Sequence, residues 1–502
     1  MTAPAPEADP ADDVLAVGRE PEPPTAPYVL PGFEDSVVRN GLEGIGGRLG
    51  RWARTGSSWW SPVRVLVVIA ALSYAVGYVL DLSCRTQLWV SPERYEHLCY
   101  SDIAPLYQLR GFADHLIPYV QAMPNGQQLE YPVLTGAFMQ LAAWITTVIA
   151  SVVTVGQKVV VFFDVNVVLL FVAFLVTVVT TALTVRRRPW DAAMVALAPT
   201  MILAATVNWD LLPLAFIGGA LLAWSRRHPV AAGILLGLAV ASKFYPVVLI
   251  GGFLLLTIRT GRWRAFGLLL LGTVGSWLVV NVPVMVANVD GWSFFYRFSS
   301  ERGEDFGSVW FALSQTGVGS IPADRLNLVA TGSFVVLCAL IAWLVLAAPK
   351  RPRLVAVLFL VVVAFVLTNK VYSPQYSLWL VPLAAMARPR WRDFLIWQAG
   401  EVIYFVAIWW FLVQYGIDGT KGLTGQEYVV AIVIHVLVTL YLAAMVVQDI
   451  LVPDYDPVRS DGFDDDVDDP GGGVFDRAPD VFTLHRRRRT ASPSNRRHDV
   501  NG

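Results

Sequence analysis

Charge is scarce in this 502-residue chain: Asp, Glu, Lys and Arg make up 15% of it, against 55% hydrophobic residues. A soluble domain carries about a quarter charged residues to cover its surface, so the length does not read as a string of soluble domains. The net charge of −1 leaves no basic excess for a nucleic-acid partner. Cysteine is nearly absent, with only Cys84, Cys99 and Cys338. No cysteine–histidine metal cluster, Walker-type phosphate loop or dinucleotide fingerprint occurs. No cofactor is established by these residues, and a divalent metal stays open with no ligand set evident. The first 60 residues lack an early apolar core, so no cleavable signal peptide is expected.

What the chain has in abundance is long apolar runs, giving a mean hydropathy of +0.53. The clearest cover 65–80, 131–157, 165–185, 192–209, 265–289, 326–349 and 428–448. A span needs about 20 predominantly apolar residues. Shorter runs at 211–225, 229–242, 244–258, 354–369 and 371–387 suggest short, tilted or broken helices. These runs predict an all-α polytopic membrane protein with about 12 spans. The expected organisation is a disordered cytoplasmic tail at 1–60, a membrane domain at 61–452 and a second disordered tail at 453–502. That second tail is acidic first (Asp464, Asp465, Asp466, Asp468, Asp469) and then basic (Arg486 to Arg489).

Basic clusters give the orientation, because cytoplasmic loops are enriched in Lys and Arg. They occur around Arg64, Arg186–Arg188, Arg226, Arg259–Arg264, Lys350–Arg353, Arg388–Arg392 and Arg486–Arg489. From Arg186 onward each neighbouring pair encloses two apolar runs, so all the clusters can face the cytoplasm, with both termini. The interval 131–185 resists this pattern. It looks like two helices but must cross an odd number of times, so either one is re-entrant or lies at the interface, or three short spans are squeezed in.

Polar residues then gather on the other face. An outer loop at about 83–130 carries Asp102, Asp114, Glu130 and both Cys84 and Cys99, which either pair in an oxidising compartment or stay as two thiols. Lys243 and Lys370 each sit between short apolar runs. A charge at membrane depth is costly unless it is paired or lines a wet cavity; otherwise it snorkels to the headgroups. Trp89, Trp292 and Trp310 lie in outer loops and are candidates for stacking on a ligand, whereas most tryptophans in such a chain are interfacial anchors. His435 in the last span reads as a packed polar residue. The run Arg486 to Ser492 reads as a positive-inside tail, a kinase target or an anchor at anionic lipid.

Several of these segments resemble a known family. Ser101-Asp102, Tyr107, Arg110-Gly111, a tyrosine near 119 and Glu130-Tyr131-Pro132, in that order after a first span, resemble the first outer loop of glycosyltransferase family 87. Asn208-Trp209-Asp210, Lys243-Phe244-Tyr245-Pro246 and Lys370 to Tyr376 are also similar to that family, over roughly 60–450. The family includes actinobacterial α-mannosyltransferases that use polyprenol-phosphate-mannose and have the GT-C fold. This chain has Tyr131-Pro132-Val133 where the family usually has Tyr-Pro-Pro.

The resemblance implies a GT-C-like bundle and an inverting transfer of a sugar, mannose by analogy. The sugar would pass from a polyprenyl phosphate to an envelope glycan or glycolipid outside the inner membrane. It implies Asp102 as the general base. Lys243 and Lys370, with Arg110 and Arg302, become candidates for the donor phosphate; Arg can grip it bidentately, Lys as a point charge. Tyr107, His115, Glu130, Tyr131, Asp210, Tyr245, Gln375 and Tyr376 are candidate substrate contacts. The competing reading is a transporter or flippase of a lipid-linked envelope precursor, which should show internal repeats and a polar site near mid-membrane; an inactive scaffold is a third.

Overall fold

The computed structural model describes residues 59–123, 128–416, 422–460 and 467–484. The first tail up to residue 58, the turn at Asp418 and Lys421, the acidic run Asp464–Asp466 and the run from Arg486 onward lie outside the described residues. The described residues are helical and contain no β-strand.

The principal helices are α1 (Pro62–Thr86), α2 (Ile103–Leu109), α3 (Val133–Val152), α4 (Lys158–Thr184), α5 (Leu211–Ser225), α6 (Pro229–Ser242) and α7 (Leu249–Thr260). They continue with α8 (Trp263–Ala287), α9 (Val289–Glu301), α10 (Ala323–Ala347), α11 (Leu354–Thr368), α12 (Ser377–Ala387), α13 (Trp391–Gly416) and α14 (Gly425–Leu451). Among the described residues, seven helices are long and apolar enough to cross a membrane: α1, α3, α4, α8, α10, α13 and α14. These are candidates by length and composition, fewer than the expected 12 or so spans, with α5, α6, α7 and α11 as shorter apolar helices.

Local chemistry sets the ends of these helices. Ser61 caps α1 by accepting from Arg64 N, with Pro62 at the first helical position. Thr424 and Glu427 form a capping box on α14. Gly261 closes α7 with φ +68°. Helices α6 and α8 approach so closely that a Cβ on Gly233 or Gly237 would strike the carbonyls of Leu269 or Thr273, the small-residue contact that lets apolar helices pack in lipid. Nearly every side chain of α11 is buried, so its apolar residues all round make it the central helix.

The interval 131–185 now has an account. Helix α3 begins on the face that carries Asp102, where Thr135 donates to Ser242 O. Helix α4 begins there too: Phe162 stacks on Tyr107, and Asp164 pairs with Arg85 at the end of α1. The short link 153–157 reaches at most about 20 Å, less than the ~30 Å of a 20-residue helix standing across the bilayer. Helix α3 therefore lies along that face, and α4 makes the crossing.

The opposite face gathers the basic clusters. Arg186 reaches Ser225 O, Arg226 reaches Leu183 O, Arg259 reaches Ala348 O, and Arg353 reaches Met386 O. Residues 453–484 were expected to be a disordered tail, but the described part packs as a strap onto this face. Phe475 is buried against Trp224 and Phe253, Trp224 Nε1 donates to Gly472 O, and Arg353 holds Asp456 bidentately. Arg259 pairs with Asp480 and Lys350 with Asp468. The acids that read as a solvated tail are counter-ions for basic residues far away in sequence.

Candidate active site

Two stretches of the outer loop place Asp102. The Cys84–Cys99 disulfide ties the end of α1 to the residues just before it. Ser101 Oγ donates to Thr206 O, and Asp102 N donates to Val207 O, so Asp102 is hung from the segment leading into α5. An aspartate at a helix start commonly caps it, yet the Asp102 side chain makes no capping bond to α2. Its carboxylate instead accepts from Tyr100 Oη (2.6 Å), Asn208 Nδ2 (3.0 Å) and, more distantly, Tyr131 Oη (3.4 Å).

This carboxylate opens onto a cavity of about 820 Å³, within the size range of sites that hold a small ligand. Burial raises the Asp102 pKa, a shift moderated by the Tyr100 hydrogen bond and by the charge of Lys243. The neighbouring charge and burial push the Tyr100 phenol well up, so it remains a donor to Asp102.

The other lining carboxylates are taken. Glu130 is gripped bidentately by Arg110 at 2.7 and 2.8 Å, and Asp305 pairs with Arg302 at 2.8 Å. Asp102 is the lining carboxylate for which no ion pair is formed among the described residues, so it keeps its lone pairs for a substrate proton.

Cations occupy another part of the same cavity. Lys243 follows the last residue of α6, where the chain turns extended, and its ammonium lies 3.0 Å from Asp210. Asp210 is 1% exposed and also accepts from Trp379 Nε1 at 2.7 Å. The Lys243 ammonium sits 5.8–5.9 Å from the ring centres of Tyr131, Tyr376 and Trp379, within cation–π range. Tyr131 thus contacts both Asp102 and Lys243. Lys370 donates from Nζ to the carbonyls of Ser300 and Arg302, the end of α9; burial and then the like charge of Arg302 lower its pKa. Arg302, two-fifths exposed, presents the remaining cation.

The structure brings Asp102, Glu130, Tyr131, Lys243, Tyr245, Arg302, Lys370, Gln375 and Tyr376 to this one cavity. Asp210 stands behind Lys243. Arg110, expected at the donor phosphate, is absent from the lining and spends its guanidinium on Glu130. Tyr107, expected at the substrate, is a core residue stacked on Phe162. His115 is exposed outside the cavity.

Trp89, Trp292 and Trp310 do not line the cavity either. Trp89 is buried on Phe163, Trp292 donates to Asn281 and Trp310 to Thr368 O. The lining tryptophans are Trp379 and Trp409. Tyr100 and Asn208 escaped selection as site residues, although each stands within two residues of one that was chosen; nothing in the local sequence marks Trp379 or Trp409. Among the described residues no group of three His, Cys, Asp or Glu side chains could hold a metal ion.

Comparison with known families agrees with the geometry. The model of glycosyltransferase family 87 matches residues 130–369, from Glu130 at the cavity mouth through Lys243 and Arg302 to the residue before Lys370. Over these residues the chain is similar to glycosyltransferase family 87. It is a membrane glycosyltransferase, and its chemistry is transfer of a sugar from a donor to an acceptor. No curated protein matches it. The family match begins after α2, so Asp102 stands outside the matched residues and is joined to them by its hydrogen bonds to Asn208 and Tyr131, which lie inside.

Proposed function

We propose that this chain transfers a sugar, mannose by analogy with the family, from a polyprenyl phosphate to an envelope glycan or glycolipid outside the cytoplasm, with inversion. The observation that carries the reading is the shared cavity. It joins a carboxylate held by neutral donors to a region bearing Lys243 and Arg302.

An inverting transfer needs one base to take the acceptor hydroxyl proton as that oxygen attacks the anomeric carbon. Asp102 fills that role. Its raised pKa makes it a stronger base than an exposed aspartate. The bond from the anomeric carbon to the donor phosphate breaks, and charge grows on the leaving lipid phosphate. Lys243 and Arg302 stabilise that charge in a largely dehydrated site. Lys370, already holding two backbone carbonyls, acts by fixing Arg302.

Two features support the outer side. The disulfide lies in the loop that carries Asp102, and such bonds persist in oxidising compartments. The basic clusters gather on the opposite face, as cytoplasmic loops do. A transporter would place its polar site near mid-membrane, whereas these residues cluster at one rim.

The test is incubation of the purified protein with labelled polyprenyl-phosphate sugars and envelope glycolipid fractions. Wild type should form a labelled glycolipid, and Asp102→Asn should not. Transfer by Asp102→Asn at a near wild-type rate overturns the mechanism. Absence of transfer from any polyprenyl-phosphate sugar overturns the donor.

A further inference from the structure

A second polar cluster lies beneath the cavity, away from the reacting groups. Glu401 on α13 is 1% exposed, yet both of its oxygens are engaged. Oε2 accepts from Tyr372 Oη at 2.8 Å; Oε1 accepts from Thr439 Oγ1 at 3.0 Å and Trp397 Nε1 at 3.1 Å. The buried His435 ring lies 3.7 Å from the same carboxylate and stacks on Tyr372 at 4.4 Å and Tyr404 at 4.6 Å. Ionisable residues inside a membrane domain are costly, and they mark function by default.

Tyr372 is the one member of this cluster on the segment that carries cavity residues. It sits two residues after Lys370 and four before Tyr376, both in the cavity lining. Its own carbonyl accepts from Tyr404 Oη at 3.0 Å, so α13 holds Tyr372 by side chain and backbone together. The segment 302–308 rests on the same place. A Cβ on Gly307 would collide with Tyr404 Oη and Tyr372 O, so only glycine lets this backbone approach. Asp305 N donates to Lys370 O at 2.9 Å, and Lys370 Nζ returns bonds to Ser300 O and Arg302 O. A continuous series of contacts thus runs from Glu401 through Tyr372 and Lys370 to Arg302.

We infer that Glu401 is a positioning residue for the reaction: with His435 and Thr439 it fixes Tyr372, and through Tyr372 it sets where Lys370 holds Arg302 against the donor phosphate. This rests on the donor reading given above. A loop with only backbone contacts would sample many conformations, and each would place the guanidinium differently. The buried carboxylate selects one of them before substrate arrives, so its effect belongs to donor binding and not to the proton transfer at Asp102.

The test uses full-length protein in nanodiscs. Tyr372→Phe removes one hydroxyl and keeps the ring on His435; Glu401→Gln keeps the shape and removes the charge. Thr439→Ser, which keeps the hydroxyl, is the control. Both variants should lower kcat/KM for the polyprenyl-phosphate sugar about tenfold with the acid limb of the pH profile set by Asp102 unmoved, and Thr439→Ser should match wild type. Amide exchange over 300–308 and 369–376 should quicken in both variants.

Unchanged exchange in Tyr372→Phe and Glu401→Gln overturns the inference. So does a loss of folded protein in which the surviving fraction keeps the wild-type kcat/KM, since that marks a purely structural role. If wild type accepts no polyprenyl-phosphate sugar, the donor reading fails, while the exchange data still decide whether Glu401 positions this segment.

Discussion

Lys243 and Asp210 face each other at 3.0 Å, one at the end of α6 and the other at the start of α5, with Asp210 almost wholly buried. The pairing explains how an ammonium can be stationed at the edge of an apolar bundle without unfolding it. Removing one partner of a buried pair leaves the other uncompensated and costs about 3–5 kcal/mol. Asp210→Ala should therefore lower thermal stability sharply. Lys243→Met with Asp210→Asn should recover much of that loss while donor affinity stays weak. Full donor affinity in the double variant would remove Lys243 from the site.

Asp102 should act as a base only when ionised, and burial raises its pKa. The sign follows directly: the proton is held to a higher pH than on an ordinary aspartate, so the rate should fall on the acid side at a pH above ~3.9. A kcat/KM–pH profile should show that limb, and Tyr100→Phe, which removes a donor to the ionised form, should move it higher still. Asp102→Asn should lose about 10²–10⁴-fold in rate with unchanged thermal stability in detergent or nanodiscs. An acid limb at the same pH in Tyr100→Phe would show that another group titrates.

The Cys84–Cys99 bond closes a loop with a sequence separation of 15 residues, for which chain entropy gives about 3 kcal/mol. Cys84→Ser with Cys99→Ser should destabilise the protein by about 2–4 kcal/mol and lower activity, because the loop carrying Asp102 loses its tie to α1. Alkylation and mass spectrometry of unreduced protein from native membranes should label Cys338 alone. Labelling of Cys84 or Cys99 would argue against an oxidising compartment around this loop.

Asp469 in the strap accepts from Leu354 N, and burial pushes its pKa up to about 6. A raised carboxyl pKa means the folded state favours the protonated form. That contribution is full below ~3.9 and lost as pH rises through about 6. Asp469→Asn mimics the neutral form, so it should raise the melting temperature at pH 8 and change it little at pH 4. An equal change at both pH values would show that titration of Asp469 plays no part.

Much of the architecture was legible because hydropathy and length act locally. The long runs marked most of the spanning helices, and the parity of the basic clusters left 131–185 open between one helix that does not cross and three short spans. Asp164 falls between the runs 131–157 and 165–185, and its pairing with Arg85 shows only in the fold. The strap failed for the same reason. Asp456, Asp468 and Asp480 read as solvated because Arg353, Lys350 and Arg259, their partners, lie more than a hundred residues earlier.

The site divided along the same line. Asp102, Lys243, Lys370 and Tyr131 could be chosen from the sequence because each is polar where the chain is otherwise apolar, or stands in a motif shared with family 87. Arg110 and Glu130 were chosen on the same grounds, and the fold spends their charges on each other. Trp379 and Trp409 carried no mark, since an aromatic facing lipid, core or cavity looks the same in a one-dimensional string.

Composition alone determined that this chain lives in a membrane, since burying so many apolar side chains needs no partner beyond lipid and neighbouring helices. Which polar groups are free for chemistry was decided only by tertiary structure. Whether a charge is spent on a neighbour or kept for a substrate depends on contacts a few ångströms long between residues distant in sequence.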